Sequence, residues 1–82
     1  MRVIVLKYVR RQIQQLPHTV QFRIWSALEH LQDHWIEGKK LEGDYAGCRV
    51  IRVWPYRIIY EVRKRELIIV ILRIADRKDV YR

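Results

Sequence analysis

The spacing of apolar residues changes along the chain and predicts a strand followed by helices. The run from Arg2 to Lys7 places four consecutive aliphatic residues between two cations, which is typical of a short strand. Val9, Ile13 and Leu16 then recur at intervals of four and three, with polar residues between them. This spacing predicts a short amphipathic helix. Pro17 ends it, because proline cannot continue a helix without losing a backbone hydrogen bond, and is well suited to the first turn of another.

The second helix is predicted from one apolar stripe about five turns long. The residues of the stripe step by four, four, three and four: Val20, Ile24, Leu28, Leu31 and Trp35. Gly38 is a plausible stop for this helix. The two helices are therefore expected to form a helical hairpin. Residues 38–47 contain all three glycines of the chain and are predicted to form its only long loop.

Three runs rich in Val, Ile and Tyr follow this loop, with short connections that indicate antiparallel hairpins. They are residues 48–53, 56–63 and 67–74. In the middle run the side chains alternate between an apolar face (Tyr56, Ile58, Tyr60, Val62) and a more polar one (Arg57, Ile59, Glu61, Arg63). The third run is apolar on both faces, so we expect it to be a central strand.

The simplest packing puts the helical hairpin against the apolar face of the sheet. The sequence thus predicts an α+β domain with the element order β-α-α-β-β-β and a mainly antiparallel sheet. The opposite sheet face is expected to be exposed and cationic, with Arg57, Arg63 and Arg73 there or at its rim.

Composition supports one folded domain over residues 1–82, because 50% of the residues are hydrophobic and there is no linker. There are 17 Lys and Arg against 9 Asp and Glu, a formal charge of +8, and 12 of the cations are Arg. Arginine binds phosphate through a planar fork, so this balance favours nucleic acid over a membrane surface as the partner.

The cellular compartment of the protein is predicted from the length of its apolar runs and from its single cysteine. The longest apolar run is six residues, too short for a secretory signal or a membrane span. The lone Cys48 excludes an intramolecular disulfide and a cysteine-rich zinc site. We therefore expect a cytoplasmic protein that does not bind membranes.

Three segments resemble the RelE/ParE superfamily of type II toxins. They are residues 40–43 (KLEG), 50–62 (VIRVWPYRIIYEV) and 72–82 (LRIADRKDVYR). The resemblance covers nearly the whole chain and implies the toxin fold, with a cognate acidic antitoxin as partner and operator DNA contacted through the toxin–antitoxin complex. RelE-like members cut messenger RNA in the ribosome, whereas ParE-like members poison DNA gyrase. Fold alone does not decide between them.

The resemblance also implies site residues for the RelE-like activity, in which the ribose 2′-oxygen attacks the adjacent phosphate without a metal. Arg52, Arg57, Arg77 and Tyr81 match the family's catalytic positions. Further cations are expected to bind RNA: Lys39, Lys40, Arg49, Arg73 and Lys78. The favoured prediction is a ribosome-dependent messenger-RNA endonuclease. The alternatives are a gyrase inhibitor and a catalytically degenerate member that binds only antitoxin and nucleic acid.

Other interpretations of these residues stay open. Arg57 suits a solvated strand face, and the ring of Tyr81 suits a closing core position. Asp76 stands where many members carry His or Lys, and Val50 where the best-known nucleases carry a strand Lys. An arginine is a poor general base at neutral pH, so a proton-transfer group must come from elsewhere. The candidates are Asp76, Glu61, Lys39, Lys40 and Lys78.

His30 and His34 are spaced i, i+4 on the second helix, a spacing that can hold a metal ion. The sequence shows no further ligand, because Cys48 is isolated and Asp33 faces elsewhere on the helix. We therefore expect two surface histidines, no metal site and no cofactor.

Overall fold

The computed structural model describes residues 1–76 and confirms the predicted α+β class and element order. Two short 3-10 turns, at Trp35–Glu37 and Gly43–Tyr45, complete the secondary structure. The main elements are β1 (Arg2–Val5), α1 (Lys7–Gln14), α2 (His18–His34), β2 (Lys39–Lys40), β3 (Cys48–Val53), β4 (Tyr56–Arg63) and β5 (Ile68–Asp76).

The strands form one sheet in the order β1-β5-β4-β3-β2. β1 pairs in parallel with β5, and the other neighbours are antiparallel, as expected for a mainly antiparallel sheet. β5 lies inside the sheet between β1 and β4, which agrees with its apolar sequence on both faces.

The helical hairpin packs on one sheet face, called here the helix side, and this layer holds the main core. Each fully buried aliphatic side chain contributes about 1.5–3 kcal/mol relative to an exposed one. The buried residues are Val9, Ile13, Ile24, Leu28 and Leu31 from the helices, and Val53, Ile58, Tyr60, Ile69, Ile71 and Ile74 from the sheet. The assignment of Tyr60 to the core is thus confirmed, and Tyr56 packs against the same cluster.

The bounds of some elements differ from the expectation. Lys7 begins α1 instead of ending β1. Leu67 has a φ of 57°, outside the strand region, so β5 begins at Ile68 and continues to Asp76. The predicted loop over residues 38–47 is not wholly irregular, because Lys39 and Lys40 pair with β3 as a fifth strand.

A β-bulge interrupts the alternation of side chains in β5. Ile59 pairs with Arg73, whereas the next residue, Tyr60, pairs with Ile71, so Leu72 is the extra residue. Ile69 and Ile71 face the helix side, and without the bulge Arg73 would follow them there. The bulge therefore turns Arg73 to the opposite face of the sheet.

Candidate nucleic-acid interface

The sheet register brings four cations together on the face away from the helices, called here the open face. Each comes from a different strand, β2 to β5 in sheet order: Lys39, Arg52, Arg57 and Arg73. Arg52 pairs directly with Arg57, and Arg73 pairs with Ile59, two residues along β4 from Arg57. Lys39 pairs with Val50, two residues along β3 from Arg52. Opposite and diagonal neighbours in a sheet lie within about 8 Å, so these four residues form a continuous cationic band.

The Arg52–Arg57 pair places two positive charges directly opposite each other, and like charges in these positions repel. Arg52 is exposed and Arg57 half-buried. Beside them lies a groove of about 290 Å³. It is lined by Glu37, Lys39, Val50, Ile51, Arg52 and Arg57. A groove with three cations and one carboxylate at its walls suits an anionic ligand such as a phosphate backbone.

The open face is only partly exposed, which corrects the expectation of an uncovered face. It carries a second small apolar cluster whose buried members are Cys48, Val50, Ile59 and Ala75. Leu41 and Tyr45, from the segment between β2 and β3, pack against this cluster. Arg73 also donates a hydrogen bond from Nη1 to the hydroxyl of Tyr45, at 3.1 Å. The segment therefore fixes one end of the cationic band.

Arg49 and Lys40 lie outside the cationic band. They pair with each other on the helix side of the sheet. The guanidinium of Arg49 donates to the carbonyl oxygens of Ile36 and Gly38, at 3.1 and 2.8 Å, and lies 6.0 Å from the centre of the Trp35 ring. This arrangement ties β3 to the end of the helical hairpin, so Arg49 has a structural task.

Arg63 faces the same side as the band but at the far end of β4. It donates a hydrogen bond to Glu61, and its Nη1 lies 3.8 Å from Glu66. The remaining predicted site residues, Arg77, Lys78 and Tyr81, lie outside the described residues.

The candidate bases within residues 1–76 are placed differently. Glu61 lies four residues along β4 from Arg57, a distance of about 13 Å, and accepts from Arg63. Asp76 pairs with Tyr56, whose ring packs on the helix side, so the register places Asp76 on that side. Of the candidates in this part of the chain, Lys39 alone belongs to the band.

The single thiol is not an obvious nucleophile. Burial raises the pKa of Cys48, and the negative charge of Glu61 raises it further. The protonated thiol is therefore favoured at neutral pH, and a thiol in this form reacts slowly.

Glu37 is a groove residue that the sequence analysis missed. It lies in the 3-10 turn after α2, where its carboxylate is also 3.0 Å from Nε2 of His30. The signal was present in the sequence as an i, i+4, i+7 spacing of His30, His34 and Glu37. That spacing identifies one face of a helix, and the predicted stop at Gly38 places Glu37 at the end of that helix, but its carboxylate was not among the predicted site residues.

Two helices on one face of a five-stranded mixed sheet are the architecture of solved RelE-type toxins. The chain is similar to the archaeal RelE–RelB complex of Pyrococcus horikoshii (28% identity, TM-score 0.82), covering 96% of this chain and 97% of that one. It is also similar to a RelBE toxin–antitoxin complex of Mycobacterium tuberculosis (26% identity, TM-score 0.82), covering 93% and 96%. The isolated RelE toxin of E. coli shares the fold, with 21% identity and a TM-score of 0.77 over 98% of this chain and 89% of that one.

Residues 3–81 match the family described as the ParE toxin of the type II toxin–antitoxin system parDE. The chain belongs to this family, within the RelE/ParE superfamily of type II toxins. No curated protein sequence matches the chain significantly. Among the helices of residues 1–76, none is long and apolar enough to cross a membrane.

Proposed function

We propose that this toxin is a messenger-RNA endonuclease that acts in the ribosome and inhibits translation. The observation that carries the proposal is the cationic band, in which four adjacent strands each direct one cation to the open face. Arg52 lies directly opposite Arg57, and like charges in these positions repel each other. A polyphosphate ligand lying across the band would neutralise this repulsion and give the arrangement a use.

The proposed reaction needs no metal. The ribose 2′-oxygen attacks the adjacent phosphorus and loses its proton to a base, while the bond from phosphorus to the 5′-oxygen breaks and that oxygen takes a proton. The products are a 2′,3′-cyclic phosphate and a 5′-hydroxyl end. Arg52 and Arg57 would stabilise the charge that builds on the phosphoryl oxygens, because guanidinium groups donate in the geometry that such oxygens accept.

The proton transfers are assigned less directly. Lys39 is the candidate base in the band, where its amine would take the proton of the ribose 2′-hydroxyl in contact with the RNA. The predicted residues Arg77, Lys78 and Tyr81 would add the phosphate contacts and the base stacking that the resemblance implies. Groups of the ribosome would complete the site, and this target implies action in the cytoplasm.

A gyrase inhibitor is the second candidate. The family match is to ParE toxins, Glu61 lies four residues along β4 from Arg57, and the register assigns Asp76 to the helix side. In that case the band would bind an anionic surface without cleaving it. A degenerate member that binds only antitoxin and nucleic acid would use the same surface.

We further propose an acidic, amphipathic antitoxin segment as the partner. Two similar structures are toxin–antitoxin complexes. The open face carries both cations and apolar side chains, and an acidic, amphipathic segment would match both. Its carboxylates would meet the cationic band, and its apolar side chains would pack beside Leu41 and Tyr45. Bound in this way, it would exclude RNA sterically and electrostatically. Operator DNA would be contacted through the resulting complex.

The proposal is tested by inducing the chain in bacterial cells and mapping messenger ends by primer extension on an abundant translated transcript. The expected result is cuts confined to translated regions, lost in Arg57→Ala and reduced in Arg52→Ala. Arg65→Ala is the matched control, because it removes one exposed arginine from the turn between β4 and β5, off the band.

Any other result of the induction experiment would count against the nuclease proposal or against the role of the band. Growth arrest without cuts, together with inhibited supercoiling by purified gyrase, would establish the gyrase activity and refute the nuclease. Cuts that persist in Arg57→Ala would refute the role of the band. An absence of toxicity would indicate a degenerate member.

A further inference from the structure

The end of α2 and the turn after it bring together two imidazoles and a carboxylate. His30 and His34 lie one turn apart on α2, and their rings stack with centroids 4.0 Å apart and planes 3° apart. Glu37, in the following 3-10 turn, places Oε2 3.0 Å from Nε2 of His30. One ligand atom from each of the three residues lies within 4.8 Å of the others. All three side chains are exposed.

We infer that His30, His34 and Glu37 form a binding site for a transition-metal ion of the Zn²⁺ class. Two histidines and one glutamate are a ligand set that zinc uses, with metal–ligand bonds of about 2.0–2.2 Å. Tetrahedral binding requires ligand atoms about 3.3 Å apart. The His30–Glu37 pair already meets this spacing. One of the two stacked rings must turn out of the parallel arrangement, because a metal ion lies in the plane of each imidazole that binds it. Imidazole ligands select Zn²⁺ and its neighbours over Mg²⁺ and Ca²⁺, which prefer oxygen.

The hydrogen bonding of His34 supports the assignment. Its Nδ1 lies 3.3 Å from the carbonyl oxygen of His30, a geometry in which Nδ1 donates its proton. The lone pair is then on Nε2, the nitrogen that faces away from the backbone. A carbonyl bonded to the second ring nitrogen is a usual outer partner of a metal-binding histidine, because it holds the tautomer whose lone pair on Nε2 can bind the ion.

The position of the site gives the ion a structural effect. His34 is the last residue of α2, and a cation is favoured where the carbonyl groups of a helix C-terminus are unsatisfied. The ion would join this helix end to Glu37, one residue before the buried Gly38 that leads into β2. Metal binding would therefore clamp the junction between the helical hairpin and the sheet edge. A fourth position would remain for water or for a group from another molecule.

The test is calorimetric titration of the chelator-treated full-length protein with ZnCl₂. We expect one ion per chain, and an affinity at least ~10-fold lower in His30→Ala, His34→Ala and Glu37→Gln, since losing even an outer partner of a metal ligand costs that much. His18→Ala is the matched control, because it removes an exposed histidine at the other end of α2. Cys48→Ala removes the single thiol and is also expected to bind normally.

A second measurement gives a readout independent of affinity. Zn²⁺ should raise the thermal midpoint of the wild type and of His18→Ala, and should not raise it in His30→Ala/His34→Ala, because only a ligand that binds the native state stabilises it. Imidazole signals in NMR spectra should shift for His30 and His34 together and stay in place for His18. No saturable binding, or binding that the His30 and His34 variants leave unchanged, would overturn the inference and leave a hydrogen-bonded surface pair.

Discussion

Arg52 and Arg57 are direct partners in the β3–β4 ladder, so two guanidinium groups start from opposite positions on one face of the sheet. Cross-strand pairs of like charge destabilise a sheet, whereas favourable pairs contribute roughly 0.2–1 kcal/mol each. A site that costs stability in the free protein and is relieved by a ligand is a common signature of function.

Replacing one member of this pair should therefore separate stability from binding. We expect Arg52→Thr to raise the free energy of unfolding by about 0.5 kcal/mol, because repulsion is removed and threonine suits a strand. Binding to a short single-stranded RNA should weaken in the same variant. Urea denaturation and fluorescence anisotropy measure the two quantities, with Arg65→Thr as the control. A variant that loses both stability and binding would argue for a structural role of Arg52.

The salt dependence of RNA binding should report how many cations of the band touch phosphate. Each contact to a single strand contributes about 0.7 to the slope of log K against log salt, through release of counterions. We expect Arg57→Ala and Lys39→Ala each to reduce the slope by about that amount. Lys40→Ala should leave it unchanged, because Lys40 pairs with Arg49 on the helix side. Equal slopes for Lys39→Ala and Lys40→Ala would contradict the division of the two lysines between faces.

Gly38 is required because the side chain of Tyr60 lies very close to it, and not because of its backbone conformation. Its φ of −64° suits any residue, but a Cβ there would lie 2.7 Å from Cζ of Tyr60 and closer still to its hydroxyl. That hydroxyl donates a 2.7 Å hydrogen bond to the carbonyl of Trp35. We expect Gly38→Ala to lower the free energy of unfolding by about 1–3 kcal/mol, the usual cost of overpacking.

A double-mutant cycle checks the cause of this loss. Tyr60→Phe should cost about 0.5–1.5 kcal/mol on its own, for the lost hydrogen bond. In that background Gly38→Ala should cost less than in the wild type, because the hydroxyl that meets the new methyl group is gone. Additive effects would show that the two residues do not share the clash.

Stability should fall at alkaline pH. Burial raises the pKa of Cys48 above its ordinary value of 9.0, with Glu61 adding to the effect, and burial also raises the pKa of Tyr60 above 10.0. The folded state thus holds these protons more tightly than the unfolded state, so their contribution is complete below the unfolded pKa values and is lost as pH rises through the folded ones.

Urea denaturation between about pH 8 and about pH 11 measures this dependence. We expect Cys48→Ala to flatten the first part of the decline, and Glu61→Gln to reduce it. In the native wild type, alkylation of Cys48 should be much slower than in urea. A decline identical in Cys48→Ala and the wild type would assign the alkaline loss to other groups.

The sequence by itself determined the two helices, the four longer strands and the two-layer packing. The apolar stripe of α2 and the alternation along β4 are local periodic patterns, and each fixes which side of its element is buried. The motifs of residues 50–62 and 72–82 were equally readable and led to the correct superfamily. Composition favoured a polyanion as the partner, because net charge needs no coordinates, and this stays a prediction.

Tertiary structure alone decided which cations meet. The pairing of β2 with β3 sends Lys39 and Lys40 to opposite faces, although both looked like loop residues. The bulge at Leu72 moves Arg73 onto the open face, and no period in the sequence announces it. The turn after α2 returns Glu37 to the His30 ring. Strand register, bulges and the path of a short turn depend on pairing between distant segments, and residue spacing along one segment does not contain that information.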